Sequence, residues 1–163
     1  MLRDASPADF AAILALNEEA VHLLSPLDAK QLGALHAEAA LHRVAIVAGE
    51  IAAFLLALRE GAKYESENYR WFAARYPRFL YVDRVVVSAA QRGRQLGARL
   101  YESLFAFARA DGLTRIVCEY DVDPPNLASQ RFHARFGFRE VATQRVAGGK
   151  KRVSLQLLEL PNR

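Results

Sequence analysis

The stretch VVVSAAQRGRQLGARLYESLFAFARA (Val85–Ala110) opens as a strand and closes as a helix. Arg92, Arg94 and Arg99 crowd the join, with Gly93 and Gly97 between them. A helix N-terminus already carries partial positive charge, and each exposed cation added there is disfavoured by roughly 0.3–1 kcal/mol. Backbone N–H groups at a helix start point outward without partners, and glycines let an anion approach them closely. The join therefore expects an anionic guest, with phosphate the natural one. The alternative is a tight turn with exposed arginines. Neither the dinucleotide fingerprint G-x-G-x-x-G nor the triphosphatase loop G-x-x-x-x-G-K-[ST] occurs here, so a phosphate site must rest on another pattern.

Working outward, FLYVDRVVVS (Phe79–Ser88) is a strand with an almost continuous apolar end, as a central strand has. The helix after Gly93 carries Leu96, Leu100, Leu104 and Phe107 on one face. TRIVCEYDV (Thr114–Val122) is the next strand. DPPN breaks it, Asn126 caps the helix in NLASQRFHARFGF, and Gly137 stops that helix. FREVATQRV and KKRVSLQLLEL close the chain as an antiparallel hairpin across Ala147–Gly149.

Toward the N-terminus, MLRDA forms a short strand. Ser6, Pro7 and Asp9 mark the start of a helix whose apolar stripe is Phe10, Ile13, Leu14, Val21 and Leu24. Asn17 falls on that stripe, either as structural glue or facing a cavity. A second helix spans 28–39. Then HRVAIVA and IAAFLLAL join through Gly49–Glu50, where Gly in first place suits a type II′ turn. Glu60–Arg78 lacks clean periodicity and reads as an excursion between strands. The order β-α-α-β-β-β-α-β-α-β-β is mixed α/β, in one domain over 1–163.

Composition narrows the function classes. The chain has 163 residues, 52% hydrophobic and 25% charged, enough for a real core. A net charge of +4 permits an anionic ligand. No helix-turn-helix, RNA-binding signature or basic stripe with interleaved aromatics is present, so no nucleic-acid partner is expected. Cys118 is the only cysteine, which excludes an internal disulfide and a cysteine-built metal site. Within RIVCEY it reads as a buried thiol rather than a nucleophile, and no metal is expected. There is no signal-peptide pattern, and the apolar run Ile51–Leu58 is too short to span a bilayer. The expectation is a cytoplasmic protein without a membrane partner.

Two stretches together resemble the GNAT superfamily of acyl-CoA-dependent N-acyltransferases. The family's first pattern is V-x-P-x-x-R-G-x-G-x-G/A. Val87, Arg92, Gly93 and Gly97 match it, while Ala89 stands where Pro is usual and Gln95 where the middle Gly is usual. The second pattern is N-x-x-[AS]-x-x-[FL]-[YH]-x-x-x-G-F. Asn126, Ser129, Phe132, His133, Gly137 and Phe138 match it, and the order of elements fits over nearly the whole chain. The resemblance implies a mixed, mostly antiparallel sheet of about six or seven strands, splayed between the fourth and fifth and flanked by about four helices.

The resemblance also implies acetyl-CoA as cofactor. Its pyrophosphate would rest on the amides of Arg92, Gly93, Arg94, Gln95, Leu96, Gly97 and Ala98. Its pantetheine arm would lie along Val85, Val86 and Val87, with Asn126, Ser129 and His133 at the far part of the arm. Gln95, read as helical, needs no positive φ, but its side chain changes the phosphate contact.

An amine attacks a thioester only when neutral, so a base must take its proton. Asp83 is the first candidate; the alternative is a structural pair with Arg84. Glu119 and Asp121 are weaker candidates of the same kind. His133 stands where relatives usually keep an acidic Tyr, and either protonates the leaving thiolate or only packs there. The acceptor wall is expected from Asn17, Glu18 and Ser25, with Tyr64, Asn68, Tyr69 and Trp71 of the excursion and Glu119. An ordered flap over the core is the alternative for the excursion. The function so implied is an N-acetyltransferase acting directly on a primary amine of a small molecule, amino acid derivative or peptide. The alternative is a CoA-binding regulatory module without turnover. The closing hairpin leaves room for a homodimer.

Overall fold

The computed structural model describes residues 1–161. Strand β1 (Leu2–Asp4) precedes helices α1 (Phe10–Glu19) and α2 (Ala29–Glu38). Strands β2 (Leu41–Val47) and β3 (Glu50–Arg59) lead to the short helix α3 (Glu67–Ala73). Strand β4 (Leu80–Val87), helix α4 (Leu96–Ala110), strand β5 (Arg115–Asp123) and helix α5 (Leu127–Arg135) follow, and β6 (Arg139–Val146) and β7 (Lys151–Glu159) close the chain.

The strands form one seven-stranded sheet in the order β1-β2-β3-β4-β5-β7-β6. Every pairing is antiparallel except β4 with β5, which is parallel and holds for only Leu80↔Ile116 and Tyr81↔Val117. Beyond those pairs the two strands part. The alternation of side chains then builds two cores, one on each face of the sheet. One face carries Leu80, Val82, Ile116 and Cys118 against Leu100, Tyr101 and Leu104 of α4. The other carries Tyr81, Val86 and Val117 against Ile13 and Leu16 of α1, Leu32 of α2, and Tyr69 and Phe72 of α3.

A bulge interrupts the alternation. Leu56 pairs with Arg84 and Ala57 with Val82, so Asp83 is the extra residue of β4. A bulge lets neighbouring side chains share a face that strict alternation would deny them. Asp83 and Arg84 accordingly meet each other on the α1 side, at 2.7 Å.

Four details depart from the sequence reading. Helix α1 stops at Glu19, where the Ala20 N–H bonds back to Asn17, so Val21 and Leu24 lie beyond it. The β2–β3 turn is Ala48–Gly49, not Gly49–Glu50, and both residues have positive φ (+52° and +81°), as type I′ requires. The excursion contains α3, started by Ser66, whose side chain accepts from the Tyr69 N–H. Its Tyr69 and Phe72 are buried, and the Tyr69 hydroxyl donates to the Arg59 carbonyl at 2.6 Å. The segment is thus part of the core and adds a fifth α-helix. Last, Gln95 has φ +57°, left-handed backbone that a side chain strains, although the sequence suggested an ordinary helical residue.

Candidate active site

Where β4 and β5 part, a groove of about 1560 Å³ opens. One wall is the loop before α4, with α4 and α5. The other is the turn after α1, the excursion from Tyr64 to Asn68, and the β6–β7 turn.

The first wall is made of backbone. Helix α4 begins at Leu96, so the N–H groups of Leu96, Gly97 and Ala98 have no partner within the helix. Among the described residues, no N–H from Arg92 to Ala98 finds a protein acceptor. Positive φ at Gly93 (+85°) and Gln95 (+57°) shapes the loop that presents them. Gly97 packs closely on α5: a Cβ there would stand 3.3 Å from the Phe132 ring, which would have to yield by a few tenths of an ångström. Arg92, Gly93, Gln95, Leu96, Gly97 and Ala98 line the groove, whereas Arg94 does not. Val85, Val86 and Val87 continue the lining along β4, whose edge here is free of β5. Asn126 caps α5 by accepting from the Ser129 N–H at 3.2 Å, and both residues line the groove. A row of unpaired amides at a helix start, opening on a long apolar channel, fits a phosphate-bearing cofactor with an extended arm.

His133 lies on this wall, 4% exposed. Its Nδ1 donates to the Ser129 carbonyl at 2.7 Å, since a carbonyl only accepts. Its Nε2 shares a hydrogen bond of 2.6 Å with the Tyr101 hydroxyl, accepting it in the neutral ring. Burial lowers its pKa. With both nitrogens engaged and burial disfavouring the imidazolium, the ring does not suit the role of the expected acid. Cys118 is buried, and burial raises its thiol pKa well above the ordinary value.

The second wall is made of side chains. Asp83 is clamped: Tyr64 donates to its Oδ1 at 2.5 Å and Arg84 Nε to its Oδ2 at 2.7 Å. Burial and the Asp83 charge keep the Tyr64 phenol protonated. Arg84 reaches further, to Asn17 Oδ1 at 2.8 Å, the Ser25 carbonyl at 3.2 Å and Ser25 Oγ at 3.1 Å.

Glu119, on β5, is the contrasting carboxylate. Tyr81 donates to its Oε1 at 2.8 Å, but its Oε2 is buried without a partner. Burial pushes its carboxyl up to about 8 and the Asp83 charge adds to this, while Tyr81, the nearby Asn68 amide and the Arg84 charge oppose it. Between the two walls, the structure therefore offers one carboxylate neutralised by an arginine and one without an ion partner.

Tyr64, Asn68 and Glu119 stand together at the groove, as does Ser25. Asn68 is oriented by Gln144 of β6, which donates to its Oδ1 at 3.0 Å. Asn17, Glu18 and Trp71 are not on the wall. Asn17 is 1% exposed and holds Arg84, Glu18 is exposed on α1, and Trp71 stacks under the Arg75 guanidinium at 3.9 Å. Tyr69 is in the core. Sequence reasoning misses Tyr81 and Tyr101. Strand alternation in LYVD puts Tyr81 and Asp83 on one face, a signal that was available for Tyr81. Among the described residues no three His, Cys, Asp or Glu converge on a metal position, and no helix is long and apolar enough to cross a membrane.

Comparison with known proteins bears on these walls. The acetyltransferase (GNAT) family model matches residues 9–138. A phosphinothricin N-acetyltransferase of Streptomyces coelicolor is 46% identical over 66 residues, 40% of this chain and 37% of that protein. The match thus spans little more than a third of that relative. Ard1 of Thermoplasma volcanium shares the fold over 99% of this chain and 97% of its own, with a TM-score of 0.79 at 15% identity. So does a Salmonella typhimurium protein solved with its cofactor acetyl-CoA, over 100% and 95%, with a TM-score of 0.74 at 22% identity.

Proposed function

Because the chain belongs to the GNAT acetyltransferase family, we propose that it is an N-acetyltransferase that moves an acetyl group from acetyl-CoA directly to a primary amine. The observation that carries this reading is Glu119: a carboxyl with one buried, unpartnered oxygen, facing the groove opposite a row of free amides. Acetyl-CoA supplies the acetyl group as a thioester, activated toward a neutral amine.

The amides of Arg92 to Ala98 bind the phosphates, with the start of α4 adding its partial positive charge. The free edge of β4 from Val85 to Val87 aligns the extended arm, and Phe132, packed on Gly97, closes the channel beneath it. Glu119 takes the proton from the incoming ammonium. A basicity near 8 suits this proton transfer, being close to working pH and closer to the amine's than an ordinary carboxylate's. Asp83 does not serve as the base in this reading, because Arg84 and Tyr64 already occupy both its oxygens. It fixes Tyr64, and with it the acceptor wall. His133 is a packing residue that positions α5 through Tyr101. The short match to a phosphinothricin N-acetyltransferase supports a small-molecule acceptor.

The test is acetyl-CoA-dependent thiol release over a panel of amines, amino acids and short peptides, alongside calorimetry with CoA. Turnover lost in Glu119→Gln with CoA affinity unchanged is the expected result. Tight CoA binding with no turnover of any amine points instead to a regulatory CoA-binding module. A protein that CoA neither stabilises nor protects from amide exchange at Arg92–Ala98 removes the cofactor assignment.

A further inference from the structure

The acceptor wall has a charge pattern as well as a shape. Its large cation, Arg84, is committed: Nε donates to Asp83, Nη1 to Asn17 and the Ser25 carbonyl, and Nη2 to Ser25 Oγ. Its side chain is only 4% exposed. Lys151, at the start of β7, lies 3.4 Å from Asp121. The remaining basic side chain that lines the groove on this wall, among the described residues, is His22, exposed at the rim; Lys63, also exposed, lines instead the smaller adjoining cavity with Ser25, Tyr64 and Arg84. Arg92 and Arg135 belong to the opposite wall. The acidic groups are less committed. Glu119 keeps its unpartnered oxygen at the bottom of the groove. Glu67, exposed in the first turn of α3, lines the rim and makes no ion pair among the described residues. Its neighbour Glu65 reaches Arg70 only at 3.5 Å and is 92% exposed.

Resting on the transferase reading, we propose that the acceptor is a primary amine with no carboxylate or other acid beside it, and that a second cationic group at its far end is favoured. The amine that reaches Glu119 stands beside the Asp83–Arg84 pair. A carboxylate on the adjacent carbon would enter the same covered space beside Asp83 and Glu119, where the groove lining on this wall offers no free guanidinium or ammonium to pair. Burying a charge without a counter-ion is strongly disfavoured. A cation at the far end instead meets Glu67 at the rim. The site thus selects by withholding a counter-ion as much as by attraction. Decarboxylated amines fit it, and α-amino acids do not.

The experiment uses matched pairs in which the sole primary amine differs only by its neighbouring carboxylate: agmatine with arginine, and tyramine with tyrosine. Phosphinothricin, an amino acid with a second acid group, extends the panel. Thiol release is expected to give the amine of each pair a kcat/KM at least about tenfold above its amino acid, with phosphinothricin lowest. Glu67→Lys is expected to lower kcat/KM for agmatine by about three- to tenfold through KM and to leave tyramine unchanged. Arginine or phosphinothricin equalling agmatine overturns the proposal, as does an unchanged agmatine KM in the variant. Calorimetric titration of agmatine and arginine into CoA-saturated protein reads the acceptor class without turnover. Tighter agmatine supports it and equal or tighter arginine overturns it, whereas absence of thiol release with every amine overturns the transferase reading alone.

Discussion

The wall that faces the cofactor is backbone, and the wall that faces the acceptor is side chains. On the first, amides from Arg92 to Ala98 are left unpaired by the start of one helix, and two positive-φ residues shape their loop. On the second, Asp83, Arg84, Tyr64, Asn17 and Ser25 come from α1, the turn after it, the excursion and β4, and are bound to one another. A backbone site tolerates changes of surface charge but not of shape. A side-chain site tolerates small changes of shape but not of charge. The two walls should therefore fail differently under mutation.

The largest effect is expected at Glu119. Glu119→Gln should lower kcat/KM by roughly 10²–10⁴-fold, the usual contribution of a general base, with CoA affinity unchanged in calorimetry. In the parent, activity should rise with pH through about 8, because the base works only after losing its proton, and the variant should lose that rise. Stability should move the other way. The folded-state carboxyl titrates above its unfolded value of 4.5, so its contribution is complete below that pH and is lost as pH rises through about 8. Glu119→Gln should consequently raise the Tm at pH 8 while abolishing turnover. A variant less stable at pH 8 would break the assignment of Glu119 as a desolvated, uncommitted carboxyl.

An intermediate effect is expected at Gly97, where only shape changes. Gly97→Val places a branched side chain against Phe132, already 3.3 Å from a bare Cβ. The overpacking should cost about 1–3 kcal/mol of stability in chemical denaturation and weaken CoA binding. Unchanged CoA affinity would show that the cradle does not depend on the α4–α5 contact.

The smallest effect is expected at Gln95. Its left-handed backbone suits glycine, so Gln95→Gly should stabilise the protein by about 0.5–1 kcal/mol. CoA affinity then separates two contributions. If backbone alone forms the cradle, affinity holds; a clear loss would show that the Gln95 side chain reaches the phosphates and would blur the contrast between the walls.

Much of the first wall was legible beforehand, because its determinants are neighbours in the chain. The arginines and glycines at the β4–α4 join, the Asn126 cap and the apolar stripe of α4 each act within a few residues. The same locality explains the errors. Whether Gln95 sits in left-handed backbone depends on how β4 and α4 dock, and helical spacing does not report it. In the excursion, Tyr69 and Phe72 are three residues apart, too short a pattern to separate a helix from a loop. Residues such as Trp71 and Asn17 carry the right chemistry for a pocket wall, but one stacks under Arg75 and the other is bound to Arg84.

What the sequence determined by itself is therefore the order of elements, the strand-to-helix cradle and the family pattern over it. Those follow from turn chemistry, capping and periodicity, which are short-range. Only the tertiary structure decided which carboxylate is spent and which is available. Arg84 and Asn17 are 67 residues apart, and Tyr81 and Glu119 are 38 apart. Their pairings require the folded sheet and a bulge that turns Asp83 toward Arg84. A carboxylate's charge state depends on the water removed and the partners supplied around it, and both come from elements far away in the chain.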